Sequence, residues 1–245
     1  MMKYGAEFLG TFWIVILATG SNTIAANLPQ TGVGTIGTAL VCGLAFVASA
    51  SAMGRESGAH YNPAVTIGHV AAGRMPIDSA LWYVVVQLLG ALVACAVLTL
   101  ILKGRPGFDL AIAGLSAAGY GEHSPTGYGL QSALLSELVS SAFLLSVYLA
   151  STLRQPMGAV PVLGVGSALI AIEILTIPIT NGAVNPAGST GSALLVRGWA
   201  LQQLWLFWIG PVIGATITGF VFRFLPSRAD EFDGARESKR KSGRK

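Results

Sequence analysis

The chain has 245 residues, of which 53% are apolar and only 11% are charged, whereas about a quarter of the residues in a soluble domain are charged. Its 15 basic and 11 acidic residues give a formal net charge of +4, and 12 of these 26 lie between Arg223 and Lys245. The first 222 residues therefore carry too few charges for a soluble surface, which excludes a soluble enzyme, a nucleic-acid-binding domain and a disordered protein.

Six apolar stretches are long enough to cross the hydrocarbon core of a bilayer, which takes about 20 residues of helix. They cover roughly residues 6–27, 33–53, 79–102, 130–151, 159–179 and 200–222. All six are rich in Gly, Ala and Ser, which allow helices to pack closely within lipid. Two shorter apolar pieces, at about 62–73 and 185–196, each begin at an Asn-Pro pair after a loop that contains glycine. These pieces predict two half-helices that enter the membrane without crossing it.

The basic residues between the spans predict the orientation, because six spans leave both termini on one side. That side carries Lys3, Arg55, Arg74, Arg154 and the eight basic residues of the tail. The opposite side carries Lys103, Arg105 and Arg197. This imbalance places the termini in the cytoplasm by the positive-inside rule. We therefore expect a multi-pass protein of the cell (inner) membrane, in contact with lipid and without a nucleic-acid partner.

Two halves of the chain carry matching features. Asn62-Pro63-Ala64 recurs as Asn185-Pro186-Ala187, and the first span of each half carries an acid near its start, Glu7 and Glu137. Three spans per half insert the second half in the opposite sense, so the pattern predicts an inverted repeat. The repeats cover about 1–103 and 129–225 of one transmembrane domain, residues 1–225, and residues 226–245 are expected to form a basic, disordered cytoplasmic tail.

Each Asn-Pro-Ala copy has the residues of a helix start. Proline presets the first turn, and it lacks an N–H group that would have no partner there. Asparagine caps the helix and still offers an amide N–H group. Two such half-helices that enter from opposite faces would meet at the midplane. Their positive ends would orient the oxygen of a passing water or hydroxyl and repel cations.

These features resemble those of the aquaporins, the major intrinsic protein family, over nearly the whole chain. Residues 57–66 are similar to the family's first loop, and residues 119–125 and 198–205 resemble its bacterial water-channel branch. Ser189 stands where the glycerol-conducting branch usually has Asp. The resemblance implies an all-α membrane protein with six transmembrane helices and two re-entrant half-helices in an inverted 3+3 repeat. It also implies a homotetramer with one pore per subunit, no cofactor and no metal.

The chain departs from the family at the outer constriction. The resemblance, carried over position by position, assigns the selectivity filter to Cys42, Glu173, Gly182 and Gly188. Water-specific bacterial members usually have Phe, His, Thr and Arg there. Losing Thr and Arg removes bulk, and Glu in place of His adds a carboxylate, so we expect a wider opening that attracts cations. Glu173 itself is either an acceptor for solute N–H or O–H groups or a protonated or turned-away side chain, since desolvation disfavours its charged form.

The resemblance also gives expectations for other polar residues. Glu7 and Glu137 match the family's paired buried acids, which brace the loop backbones. His60 is expected to face the inner vestibule of the pore, and His69 to be a structural or interfacial residue. Cys42 and Cys95 lie in separate apolar runs, so they predict neither a disulfide nor a metal site.

No arrangement of residues indicates catalysis, and the predicted function is a passive channel for water and small polar solutes. Asn62 and Asn185 would donate to the solute at the midplane. The half-helices around them would be set by Pro63, Ala64, Pro186 and Ala187. One alternative is a channel mainly for donor-rich or cationic solutes such as urea, ammonium or guanidinium. Another is a proton-coupled secondary transporter that titrates Glu173.

Overall fold

The computed structural model describes residues 1–28, 32–153 and 157–225, so Arg154 and the predicted tail lie outside the described residues. Every regular element of this described part is helical. In chain order the α-helices are α1 (Met2–Asn27), α2 (Gly34–Ser57), α3 (Pro63–Ala71), α4 (Ile77–Leu102), α5 (Leu110–Ala113), α6 (Leu130–Ser151), α7 (Ala159–Thr180), α8 (Pro186–Val196), α9 (Trp199–Gln203) and α10 (Leu206–Arg223).

Six segments are long and apolar enough to cross a membrane, which confirms the six predicted spans. The limits of α6 are those predicted for the fourth span, whereas α2 continues past its expected end to Ser57. The sixth span begins with the short α9, and a turn at Leu204 and Trp205 separates α9 from α10. The side chain of Gln203 exchanges two hydrogen bonds with the backbone of Tyr120, which ties α9 to the connection between α5 and α6.

The half-helices α3 and α8 have nine and 11 residues, too few to cross a bilayer. Each packs against the last long helix of the other half, α3 against α10 and α8 against α4. Within the halves, α1 packs against α2 and α4 as α6 packs against α7 and α10, while α2 and α7 join the two halves. The chain thus has the predicted inverted 3+3 repeat with two re-entrant half-helices.

Two glycines show how closely the repeat is followed. A Cβ atom on Gly90 of α4 would lie 2.5 Å from the backbone oxygen of Phe8, so α4 and α1 could not pack as they do with any larger residue. A Cβ atom on Gly214 of α10 would likewise overlap the backbone oxygen of Leu138 in α6. Phe8 and Leu138 directly follow the two paired acids. The close contact between the first and last helix therefore lies at the same place in both halves.

Candidate functional site

The starts of α3 and α8 meet through their asparagines. Asn62 precedes Pro63 in extended backbone, and its Oδ1 accepts a hydrogen bond from the backbone N–H of Ala64 at 2.8 Å. Asn185 caps α8 in the same way by accepting from Ala187 at 3.0 Å. The residue types at these two starts therefore produce two helix caps of the same kind.

The amide groups of the two asparagines also link the two half-helices. Nδ2 of Asn62 donates to the carbonyl of Val184 at 2.9 Å, and Nδ2 of Asn185 donates to the carbonyl of Tyr61 at 3.0 Å. Each asparagine thus bonds to the residue that precedes the other. A side-chain amide has two N–H groups, so these bonds use one from each asparagine. Within the described residues, the second N–H of each makes no hydrogen bond to the protein.

Two buried acids hold the loops that lead into the half-helices. The carboxylate of Glu7 accepts from the backbone N–H groups of His60 and Tyr61, at 3.0 and 2.7 Å, and from the side chain of Gln87 at 2.8 Å. Tyr61 has a φ angle of 50°, which is costly for a residue with a side chain. The carboxylate therefore stabilises a backbone conformation that the loop would not adopt by itself.

Glu137 makes the corresponding contacts in the second half. It accepts from the backbone N–H of Val184 at 2.8 Å and from the hydroxyl of Thr180 at 2.7 Å. Val184, like Tyr61, has a positive φ angle, here 32°. Both acids are fully buried. The two loops that position the asparagines are thus anchored by carboxylates from the first helix of each half.

One cavity brings the predicted site residues together. It has a volume of about 90 Å³, and because roughly 10–15 Å³ admits one water molecule, it can hold several. Both asparagines, all four predicted filter residues and the predicted vestibule residue line it: Asn62, Asn185, Cys42, Glu173, Gly182, Gly188 and His60. Within the described residues, no three His, Cys, Asp or Glu side chains converge on a position that could hold a metal ion.

The carboxyl group of Glu173 fills the space beside Gly182. The thiol of Cys42 lies 3.7 Å from Oε1 of Glu173 and donates to it. A Cβ atom on Gly182 would overlap Oε2 of Glu173, and the φ angle of Gly182 is +70°, in the region that favours glycine. The sequence pattern did not reveal that the carboxyl group of Glu173 occupies the space where a side chain at position 182 would begin. The loss of bulk at Gly182 is therefore offset by Glu173.

The space beside Gly188 is different. A Cβ atom on Gly188 would lie 3.6 Å from Cγ2 of Val15, an ordinary contact, and would meet no other described atom within 4 Å. The two glycines thus differ in the room for a Cβ atom: Glu173 occupies that space beside Gly182, and the space beside Gly188 is open.

Sequence analysis missed several residues that line the outer part of the cavity. Nδ2 of Asn22 lies 3.4 Å from Oδ1 of Asn181, and Asn181 donates to the carbonyl of Ala117 at 3.1 Å. Thr38, one helical turn before Cys42, lines the cavity with a buried hydroxyl that has no hydrogen-bond partner. An amide or hydroxyl inside an apolar span is a signal that could have identified Asn22 and Thr38.

The two histidines of the first loop and half-helix lie together. The rings of His60 and His69 are stacked with their centroids 4.1 Å apart, and both side chains are buried. Nδ1 of His60 lies 3.1 Å from the hydroxyl of Thr66, and Nδ1 of His69 donates to the carbonyl of Val65 at 2.8 Å. His69 thus packs behind His60, which lines the cavity.

The profile of the major intrinsic protein family matches residues 1–222 of the chain. The chain belongs to the major intrinsic protein family. Because this family consists of passive channels, the prediction that the chain is not an enzyme is confirmed. The six apolar helices and the family together show a multi-pass membrane protein of the aquaporin type.

Two known proteins illustrate the likeness. Aquaporin Z of Bradyrhizobium diazoefficiens is 46% identical over 226 residues, which are 92% of this chain and 93% of that protein. The X-ray structure of the aquaglyceroporin from Plasmodium falciparum superimposes with a TM-score of 0.76 at 22% identity, and the match covers 94% of this chain and 98% of that one. This second likeness shows the aquaporin fold.

Proposed function

We propose that the protein is a passive channel for water and for small polar solutes larger than water. The observation that carries this proposal is the open side of the constriction at Gly188, in a cavity that also contains the carboxyl group of Glu173. The proposed place of action is the inner membrane, with both termini in the cytoplasm. The excess of basic residues on that side supports this orientation.

The midplane would act on every solute in the same way. Asn62 and Asn185 each retain one N–H group after bonding to the opposite loop, so a water or solute oxygen can accept from both in turn. The amino-terminal ends of α3 and α8 carry partial positive charge, which favours oxygen lone pairs and disfavours cations. A neutral solute with a carbonyl or hydroxyl oxygen is therefore suited to this part of the pore.

The constriction would set the upper size limit. Gly188 leaves open the side where the family usually has arginine, and Glu173 adds acceptor oxygens near that opening. A fixed cation is thus replaced by an acid, and in the ionised form of that acid one unit charge about 4 Å away is worth about 4 kcal/mol at an effective dielectric constant of 20. Solutes with N–H donors would be admitted in preference to solutes with acceptors alone.

A second candidate function is a channel mainly for donor-rich or cationic solutes, such as urea, ammonium or guanidinium. The carboxyl group of Glu173 in the cavity favours it, because only one of its oxygens is engaged by Cys42. The positive ends of the two half-helices oppose a full cation at the midplane. We therefore rank neutral donors such as urea above true cations.

We also propose a homotetramer with one pore per subunit. Large apolar side chains are exposed on the outer faces of the long helices, among them Leu44, Leu81 and Leu163, and such faces need lipid or another subunit. Native mass spectrometry in mild detergent should give a mass of four chains. A mass of one chain would contradict this assembly.

Stopped-flow light scattering on proteoliposomes tests the proposed function, with a sucrose gradient compared with a urea gradient. We expect fast shrinkage in both gradients, followed by fast reswelling only in urea, because urea enters and sucrose does not. Protein-free liposomes supply the background for both rates. Fast shrinkage without reswelling in urea would contradict the proposal and leave a channel for water alone.

A further inference from the structure

Helix α1 contributes a surface to the constriction that the filter positions do not include. Four of its residues lie on one face at helical spacing, and all four line the cavity. These residues, here called the α1 wall, are Val15, Ala18, Thr19 and Asn22. At a rise of about 1.5 Å per residue they extend for roughly 10 Å along the cavity.

Gly188 lies beside the α1 wall. A Cβ atom on Gly188 would lie 3.6 Å from Cγ2 of Val15, which is an ordinary van der Waals contact. A side chain at position 188 would therefore begin next to Val15. Because glycine has no side chain, nothing from position 188 covers Val15 and Ala18 where they line the cavity.

The same cavity offers hydrogen-bond acceptors from α2 and α7. Glu173 supplies carboxyl oxygens, and Thr38 supplies a hydroxyl that is buried and has no partner in the described part of the chain. A buried hydroxyl without a partner is costly, so a solute N–H group that bonded to it would be favoured. The constriction therefore presents two kinds of surface, an apolar one from α1 and an acceptor one from α2 and α7.

We propose that the α1 wall is part of the selectivity filter and that the channel favours small amides and ureas that carry a methyl group. This inference rests on the proposed function and names its substrate class more closely. The N–H groups of such a solute would bond to Glu173 and Thr38 while its methyl group lies against Val15 and Ala18. Burying one methyl group against an apolar surface changes the equilibrium between free and bound solute by about two- to fourfold. We expect the channel to prefer the methylated solute over the unmethylated one by the same factor.

The experiment compares the reswelling rates of proteoliposomes in urea and in N-methylurea, after subtraction of the rates in protein-free liposomes. Val15→Thr replaces a methyl group with a hydroxyl of similar size, which can donate to the carbonyl of the residue four positions earlier. Ala18→Ser makes a smaller change at the next position of the α1 wall. The matched control is Val139→Thr on α6, where the side chain is 52% exposed on the outer surface. Size-exclusion chromatography establishes that each variant is monodisperse.

We expect the ratio of N-methylurea to urea permeability to fall about two- to fourfold in Val15→Thr and less in Ala18→Ser, and to stay unchanged in the Val139→Thr control. An unchanged ratio in both variants, while urea still enters, would overturn this inference and leave the proposed function intact. An equal loss for both solutes would overturn it too, since that result indicates packing alone. Failure of urea to enter through the unchanged protein would instead overturn the proposed function, and this inference with it.

Discussion

The midplane and the outer constriction of the cavity are built differently. At the midplane each group has a counterpart in the other half: Asn62 and Asn185 bond to the opposite loops, and a buried acid holds each loop. The four predicted filter positions lie on α2, on α7, in the loop before α8 and on α8 itself. Glu173 occupies the space beside Gly182, whereas the space for a Cβ atom beside Gly188 is open. The repeat therefore constrains the midplane, whereas single substitutions can change the constriction.

The largest effect is expected at the midplane support. Glu7→Ala would remove the acceptor of the backbone N–H groups of His60 and Tyr61 and of one N–H of the Gln87 amide. Each unpaired buried donor costs about 1–3 kcal/mol, so the sum is a large part of the roughly 5–15 kcal/mol that stabilises a protein. Equal thermal stability of Glu7→Ala and the unchanged protein, measured by size-exclusion chromatography after heating, would show that the acid does not support the loop.

The same substitution at the two filter glycines should have opposite effects. Gly182→Ala places a Cβ atom on Oε2 of Glu173 at a φ angle of +70°, and the left-handed backbone alone costs about 1–2 kcal/mol. Gly188→Ala adds only an ordinary contact inside a helix, where alanine is favoured over glycine by about 0.5–1 kcal/mol. We therefore expect a lower melting temperature for the first variant and an unchanged or higher one for the second.

A double-mutant cycle separates the two causes at Gly182. Adding Glu173→Ala to Gly182→Ala should restore part of the stability, because it removes the overlap and leaves the backbone cost. If the stability changes of the two single variants simply add in the double variant, Glu173 does not occupy the space beside Gly182.

The carboxyl group of Glu173 should matter less for water than for cations. Glu173→Gln keeps the size of the side chain and removes the charge of its ionised form, so the uptake of methylammonium or guanidinium should fall by about tenfold or more. Water permeability should stay within about twofold, since an amide oxygen still accepts hydrogen bonds. Glu122→Gln, an exposed acid of the outer connection, is the matched control. Equal losses of cation and water flux would refute the role of the charge.

Much of the fold could be predicted because membrane spans depend on local composition. Continuous apolar runs identified six spans, and the Asn-Pro pairs identified the starts of α3 and α8. The break between α9 and α10 was not predicted, because the contact of Gln203 with Tyr120 that holds α9 is long-range.

The sequence could point to site residues only where the residue type itself suggests a role. It singled out the asparagines, the paired acids and four expected filter positions, and all four of those positions line one cavity. The overlap between Gly182 and Glu173 depends on side-chain direction, which a sequence does not record. Val15 is an ordinary apolar residue in its sequence context, and only the structure shows that it lines the cavity beside Gly188.

If Gly188 opens the constriction to solutes larger than water, Gly188→Arg should close it again. The added Cβ atom fits without overlap, and we expect the longer side chain to cross the open side with a positive charge. Stopped-flow light scattering should show that the ratio of urea to water permeability falls at least about tenfold, while water permeability changes little. An unchanged ratio in a folded variant would contradict the account, because the opening at Gly188 would then not limit the passage of solutes.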